Sequence, residues 1–142
     1  MKKVGLTAWQ KALLVVICFA IAVYGFMIKL PSEFRHIDKE LHALFYFLAA
    51  ALLNILFAGT KILRHVIIFI TLYLFGMAIE YSQEYSNKFF RKRIHGRFDP
   101  EDIQWNLKGL VAFSMLWLLC TVIILISKRA TVKQDEYKSK TS

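Results

Sequence analysis

The chain has 142 residues, of which 57% are hydrophobic and 15% aromatic, and its mean hydropathy is +0.46. Such a composition is more apolar than that of an average soluble domain, and the length suits a single domain. The net charge of +9 comes from basic residues dispersed along the flanks of apolar runs, so we expect no nucleic-acid partner. Cys18 and Cys120 lie within apolar runs, which excludes a zinc-binding cysteine pair and a disulfide framework.

Long apolar runs predict transmembrane helices, because a span needs about 20 residues and lipid cannot satisfy backbone polar groups. The runs occupy residues 12–28, 41–59, 65–80 and 107–127. The first run lacks a following small-residue cleavage pattern, so we interpret it as an uncleaved span rather than a signal peptide. The sequence therefore predicts an all-α, four-helix transmembrane bundle over residues 1–127, followed by a polar, disordered tail over residues 128–142.

The connections between the runs indicate topology and orientation. Runs 41–59 and 65–80 are joined by a short turn and should form an antiparallel hairpin, whereas residues 80–106 form a longer polar loop. Four spans place both termini on one side, with ten basic and two acidic residues, and leave nine basic and eight acidic residues on the other. The number of basic residues is nearly equal on the two sides, so it decides little. The side with the termini has the larger net positive charge, which anionic lipid of the cytoplasmic leaflet attracts, so we expect both termini in the cytoplasm.

The second predicted helix has a polar stripe where it enters the membrane. Asp38, His42 and Tyr46 are spaced four residues apart and therefore share one helix face, with Lys39 beside them. One reading is that these groups only fix the helix register through hydrogen bonds. The other is that they bind a ligand, since polar groups at membrane depth are usually kept for function.

The third and fourth predicted helices carry similar stripes at the same membrane face. Glu80 and Gln83 lie three residues apart where the third run ends. Asp99 precedes a proline and should cap a helix, on which Asp102 and Asn106 share the capped face. Because polar side chains avoid lipid, the three stripes should face one another. We predict a polar cluster that comprises His42, Glu80, Gln83, Arg97, Asp102 and Asn106.

Three motifs at these helix ends resemble the VanZ-like family of membrane proteins. Residues 38–42 are similar to its DKxxH motif, residues 80–83 to its ExxQ motif, and residues 99–109 to its DxxDxxxNxxG motif. Arg97 stands one residue closer to Asp99 than the family's arginine does, so Arg91 and Arg93 are alternatives. The resemblance implies a bacterial inner-membrane protein, and the namesake of the family is associated with low-level resistance to teicoplanin.

The cluster is expected to bind an envelope lipid, a lipid-linked glycan or a lipoglycopeptide-type ligand. Arg97 and Lys39 would contact negative groups of that ligand, since arginine suits bidentate phosphate contacts. One alternative is an enzyme in which His42 acts as a general base beside the paired acids Glu80 and Asp102. Another is a structural subunit in which the cluster only locks the bundle and Glu80 pairs with Arg97. The sequence names no partner protein or oligomer.

Other chemistries have less support in the sequence. His42, Glu80 and Asp102 offer nitrogen and oxygen ligands that suit zinc, but no HExxH or paired-histidine spacing is present. We therefore expect no metal and no cofactor. The remaining histidines, at positions 36, 65 and 95, are predicted to be solvated loop residues.

Overall fold

The computed structural model describes residues 5–27, 37–91 and 98–141. Within these ranges the chain forms four helices, each long and apolar enough to cross a membrane. They are α1 (Ala8–Met27), α2 (Asp38–Leu53), α3 (Ile62–Phe89) and α4 (Pro100–Thr141). The predicted all-α transmembrane bundle is confirmed, and the chain is a multi-pass membrane protein.

Two helices extend beyond the predicted spans. The α3 helix continues past residue 80 to Phe89, so much of the predicted loop is helical, and Glu84 pairs with Lys88 at 3.2 Å across one turn of it. The α4 helix continues to Thr141 instead of giving way to a disordered tail. The physical reason is shared: neither segment contains proline or glycine, so nothing in the sequence interrupts the backbone hydrogen bonds once the helix has begun.

The apolar core lies between α2, α3 and α4. Its buried members are Tyr46, Ala49, Ala50, Leu53, Leu72, Leu110, Phe113 and Trp117. The α1 helix lies at the margin of this core and mainly contacts α3. Phe19 packs edge-on against Phe75 with ring centroids 4.9 Å apart, and Gln83 Nε2 donates to the carbonyl oxygen of Phe26 at 2.8 Å. The α1 helix is therefore held by side-chain contacts with α2 and α3, and Val15, Phe19 and Phe26 pack against the outside of the core.

The backbones of α2 and α4 approach each other closely at Gly109. A Cβ atom at this position would lie 2.1 Å from the carbonyl oxygen of Ala43, so only glycine fits there. Because backbones without an intervening side chain pack directly, this contact sets the spacing of α2 and α4. The pair also makes the most extensive contact between any two of the helices.

A second polar cluster closes the hairpin between α2 and α3. His65 is buried there, and its Nδ1 lies 2.8 Å from Asn54 Oδ1 while its Nε2 lies 3.1 Å from Ser114 Oγ. Its ring stacks on Trp117, whose indole N–H donates to the carbonyl oxygen of Gly59. The prediction that His65 is a solvated loop residue is wrong, because α3 begins before it and turns its ring into the bundle. His36 and His95 lie outside the described residues.

The α2 helix ends in a π-helical turn over Asn54–Ala58. Asn54 Nδ2 donates to the carbonyl oxygen of Ala50 at 2.8 Å, and the backbone N–H of Gly59 reaches the Asn54 carbonyl at 3.1 Å. Gly59 has a φ of 56°, which favours glycine and lets the chain reverse into α3. The short hairpin connection predicted from the sequence therefore contains a wider turn of helix as well as a tight reversal.

Replacement of Gly109 by alanine should destabilise the bundle by about 1–3 kcal/mol, because the new methyl group overlaps the Ala43 carbonyl. Gly25→Ala is the matched control, since none of the described residues has a heavy atom within 4 Å of a Cβ there. Unfolding in mixed micelles should show a large loss for the first variant and none for the second. Equal stability of the two variants would contradict the close helix contact.

Cysteines introduced at Lys88 and Ser139 should lie on opposite sides of the membrane. Lys88 is near the end of α3 beside the start of α4, whereas Ser139 is near the other end of α4. Helix α4 has 42 residues and is thus about 63 Å long, twice the thickness of a hydrocarbon core. In a background without Cys18 and Cys120, an impermeant thiol reagent should label one site in intact cells and the other only after lysis. Labelling of both sites from one side would contradict the four-span topology.

Candidate functional site

Two pairs of polar residues face each other between α2 and α4. Asp38 and His42 are one turn apart on α2, and Asp102 and Asn106 are one turn apart on α4. His42 is 5% exposed and Asn106 is 1% exposed. Nδ1 of His42 lies 2.9 Å from Oδ1 of Asn106, so the imidazole N–H donates to the amide oxygen. This hydrogen bond joins the two helices inside the bundle.

The Asn106 contact sets the protonation pattern of the His42 ring. With the proton on Nδ1, a neutral imidazole has a lone pair on Nε2. Nε2 lies 3.9 Å from Oδ2 of Asp102, which is too far for a hydrogen bond. A lone pair and a carboxylate oxygen that face each other repel, so this gap favours a hydrogen-bond donor or a cation between them.

Asp38 completes this group on the α2 side. One ligand atom from each of Asp38, His42 and Asp102 lies within 4.8 Å of the other two. Among the described residues these side chains are therefore the group that could hold a metal ion. The set differs from the one considered on sequence grounds, because Asp38 takes the place of Glu80.

Glu80 is the fully buried acid of the site. Its Oε2 accepts the backbone N–H of Asp99 at 3.1 Å, so the carboxylate sits at the start of α4, where the helix dipole is positive. Its Oε1 is buried and has no hydrogen-bond partner among the described residues. Asp99 Oδ1 accepts the backbone N–H of Glu101 at 2.8 Å, which confirms the predicted helix cap. A buried carboxylate oxygen with no donor is costly, and it marks a place where a ligand group would be favourable.

Gly76 allows α3 to close over the two facing pairs. A Cβ atom there would lie 2.8 Å from Asn106 Nδ2 and 2.9 Å from the Tyr46 hydroxyl oxygen. Tyr46 is almost completely buried, and the ring of Phe26 on α1 packs against His42 with centroids 4.8 Å apart. All four helices therefore contribute to the enclosure of His42.

Other predicted site residues have different neighbours. Lys39 forms an ion pair with Glu101 at the exposed rim, so its charge is already matched. Gln83 lies on α3 but donates to α1 rather than to the facing pairs. Arg97 and Arg93 lie outside the described residues, so the predicted ion pair of Glu80 with Arg97 stays a prediction. Arg91 is exposed at the end of α3 and has a positive φ of 49°.

The described part of the cluster is dominated by acceptors. The carboxylates are those of Asp38, Glu80, Asp99, Glu101 and Asp102. The cationic group beside them, Lys39, is paired with Glu101. Lys39 was predicted to contact a ligand, and its pairing with Glu101 was not predicted. The signal was present, since Glu101 lies in the first turn of the capped helix, but the approach of α2 to α4 was not visible in the sequence.

Searches against protein-family models, curated proteins and solved structures find no match for this chain. The class of protein therefore rests on the fold and the site alone. The chain is a multi-pass, all-α membrane protein with a buried cluster of hydrogen-bond acceptors between the start of α2 and the start of α4.

The His42–Asn106 hydrogen bond should appear as energetic coupling in a double-mutant cycle. Single changes to alanine and the double change should be non-additive by about 0.6 kcal/mol, and by no more than about 1.7 kcal/mol, as for other hydrogen bonds between membrane helices. Unfolding in mixed micelles provides the free energies. His42→Ala combined with Ser114→Ala is the control, because Ser114 pairs with His65 in the other cluster and should give additive effects. Additivity of the His42 and Asn106 changes would contradict the hydrogen bond.

Proposed function

We propose that this chain is a VanZ-like protein of the bacterial inner membrane that binds the polar headgroup of an envelope lipid or a lipid-linked glycan. Both termini lie in the cytoplasm in this proposal, and the cluster faces the outer side. The three motifs at the helix ends support the family. The observation that carries the binding role is the buried oxygen Glu80 Oε1, which has no hydrogen-bond donor among the described residues.

The acceptors define the chemistry of the ligand. Glu80 Oε1 and the Asp102 carboxylate accept hydrogen bonds, and His42 Nε2 accepts one when the ring is neutral. A headgroup with hydroxyl or amine groups supplies the missing donors, as a sugar or a polyol does. A bare anion would instead meet several carboxylates, while Lys39 is engaged by Glu101. The proposal therefore shifts from the anionic groups considered on sequence grounds toward a glycan or polyol headgroup.

The surroundings of the cluster favour a lipid over a soluble ligand. Leu44 and Leu48 on α2 are 53% and 55% exposed, on the face of the helix that turns away from His42 and from the other helices. In a bilayer these side chains contact acyl chains, since the hydrocarbon core extends along the same helix. A lipid beside the bundle would therefore have its headgroup at the level of the helix ends, where the cluster lies.

A second candidate is acid/base catalysis on such a lipid. Asn106 orients the His42 ring through Nδ1, and Nε2 lies 3.9 Å from Asp102 Oδ2, so a general base in this reading would take a substrate proton at Nε2. Chemical change of the bound lipid during incubation would favour this candidate, whereas recovery of unchanged lipid favours binding. If the bundle has only a structural role, the purified protein contains no specifically bound lipid, either changed or unchanged.

Native mass spectrometry of the purified protein should reveal a bound envelope lipid, and His42→Gln should lower its occupancy by about ten- to a hundredfold. The loss corresponds to about 1.4–2.7 kcal/mol, as when one partner of a buried hydrogen bond is left unsatisfied. His65→Gln is the matched control, because it changes a buried histidine in the other cluster. Equal lipid content in folded samples of both variants would contradict the proposal. Teicoplanin susceptibility of cells with the same variants tests the antibiotic link that the family resemblance suggests.

A further inference from the structure

The Asp38, His42 and Asp102 side chains are arranged as the ligands of a cation would be. Their ligand atoms lie within 4.8 Å of one another, and His42 Nε2 is 3.9 Å from Asp102 Oδ2. Ligand atoms around tetrahedral zinc lie about 2.0–2.2 Å from the ion and hence about 3.3 Å from one another. Small rotations of the two aspartate side chains, which are half-buried rather than locked in the core, would close this difference.

Helix geometry explains why the three groups converge. Asp38 and His42 are four residues apart on α2, so they point to the same side of that helix. Asp102 lies in the first turn of α4, opposite them. The Gly109–Ala43 contact, which is about two turns further along α4, holds the two helix backbones close enough for the groups to meet.

The partner of the other His42 nitrogen is independent support for a ligand at Nε2. Metal-bound histidines almost always donate their second ring N–H to an oxygen, which fixes the tautomer that binds metal. Asn106 Oδ1 accepts the Nδ1 proton at 2.9 Å. Nε2 belongs to a side chain that is more than nine-tenths buried, is aimed at Asp102, and has no hydrogen-bond partner among the described residues.

Charge balance also favours a cation. Two carboxylates and a neutral imidazole that hold a divalent ion sum to no net charge, which suits a buried position. Without the ion, the two acids face each other and a third acid, Glu80, is buried on α3 nearby.

We infer that Asp38, His42 and Asp102 bind a divalent metal ion, with Asn106 as the residue that positions His42. One imidazole nitrogen with carboxylate oxygens suits Zn²⁺, and Mn²⁺ is the competitor that accepts the same ligands. Three protein ligands leave a coordination position open, as in zinc sites that bind a further group. The metal site goes beyond the proposed lipid binding and does not rest on it. If both hold, the open position would accept an oxygen of the headgroup.

The test uses the full chain in detergent, purified without a polyhistidine tag and stripped with a chelator. Titration with ZnCl₂, equilibrium dialysis and elemental analysis should give one ion per chain, and bound Zn²⁺ should raise the melting temperature. Asn106→Ala should weaken Zn²⁺ binding about ten- to a hundredfold without changing the stoichiometry, as loss of a residue that positions a ligand does. Asp38→Asn and His42→Gln should weaken it further. MnCl₂ in the same assay identifies the preferred ion.

Two control variants separate this site from general effects. Glu40→Gln removes a carboxylate from the same turn of α2, but its side chain is exposed and lies outside the group of candidate ligands. His65→Gln removes a buried histidine from the other cluster. Both variants should bind Zn²⁺ as the unaltered chain does. Co²⁺ provides a second readout, since its visible absorption should change in His42→Gln and remain unchanged in His65→Gln.

The outcomes of the metal-binding test can be distinguished from those of the lipid experiment. Absence of Zn²⁺ and Mn²⁺ binding by the unaltered chain, or equal binding by folded His42→Gln, would overturn the metal site. Melting of each metal-free variant shows whether it is folded. Lipid occupancy measured with chelator present addresses the proposed function alone, because a lipid held by the acceptors remains bound when the metal is removed.

Discussion

The rest of the structure depends on the close contact of α2 with α4 at Gly109. A glycine at this position lets the α4 backbone lie against the Ala43 carbonyl, which no side chain would allow. Less than one turn away, the same spacing brings His42 and Asn106 to hydrogen-bond distance. The helix packing and the polar cluster are therefore consequences of one steric condition. Gly76 plays a smaller but similar part, because it admits the Tyr46 and Asn106 side chains against α3.

The two buried histidines show how similar groups at membrane depth differ in role. Both ring nitrogens of His65 have partners, and its ring is stacked on Trp117, so the hairpin cluster is complete by itself. One ring nitrogen of His42 has a partner and the other faces a carboxylate. A satisfied cluster stabilises the fold, whereas an unsatisfied one has a reason to bind something. This contrast is the physical basis for the assignment of binding to one end of the bundle.

Much of the site could be predicted from helix periodicity. The spacing of Asp38 and His42, and that of Asp102 and Asn106, places each pair on one helix face, and lipid excludes polar side chains from the outer surface. The cap formed by Asp99 followed from its position before a proline. The His65 cluster was missed because its members come from three separate segments, although Asn54 within an apolar run was a signal that a partner was needed.

The sequence by itself determined the membrane class, the four helices and the faces on which the polar residues lie, because hydropathy and helical period are local properties of the chain. Only the tertiary structure decided which of those residues meet. It paired Lys39 with Glu101, directed Gln83 toward α1, and placed Asp38 rather than Glu80 beside His42 and Asp102. These outcomes depend on the rotation and separation of whole helices. Those are set by the fit of Gly109 against Ala43, a contact between residues far apart in the chain that no local pattern encodes.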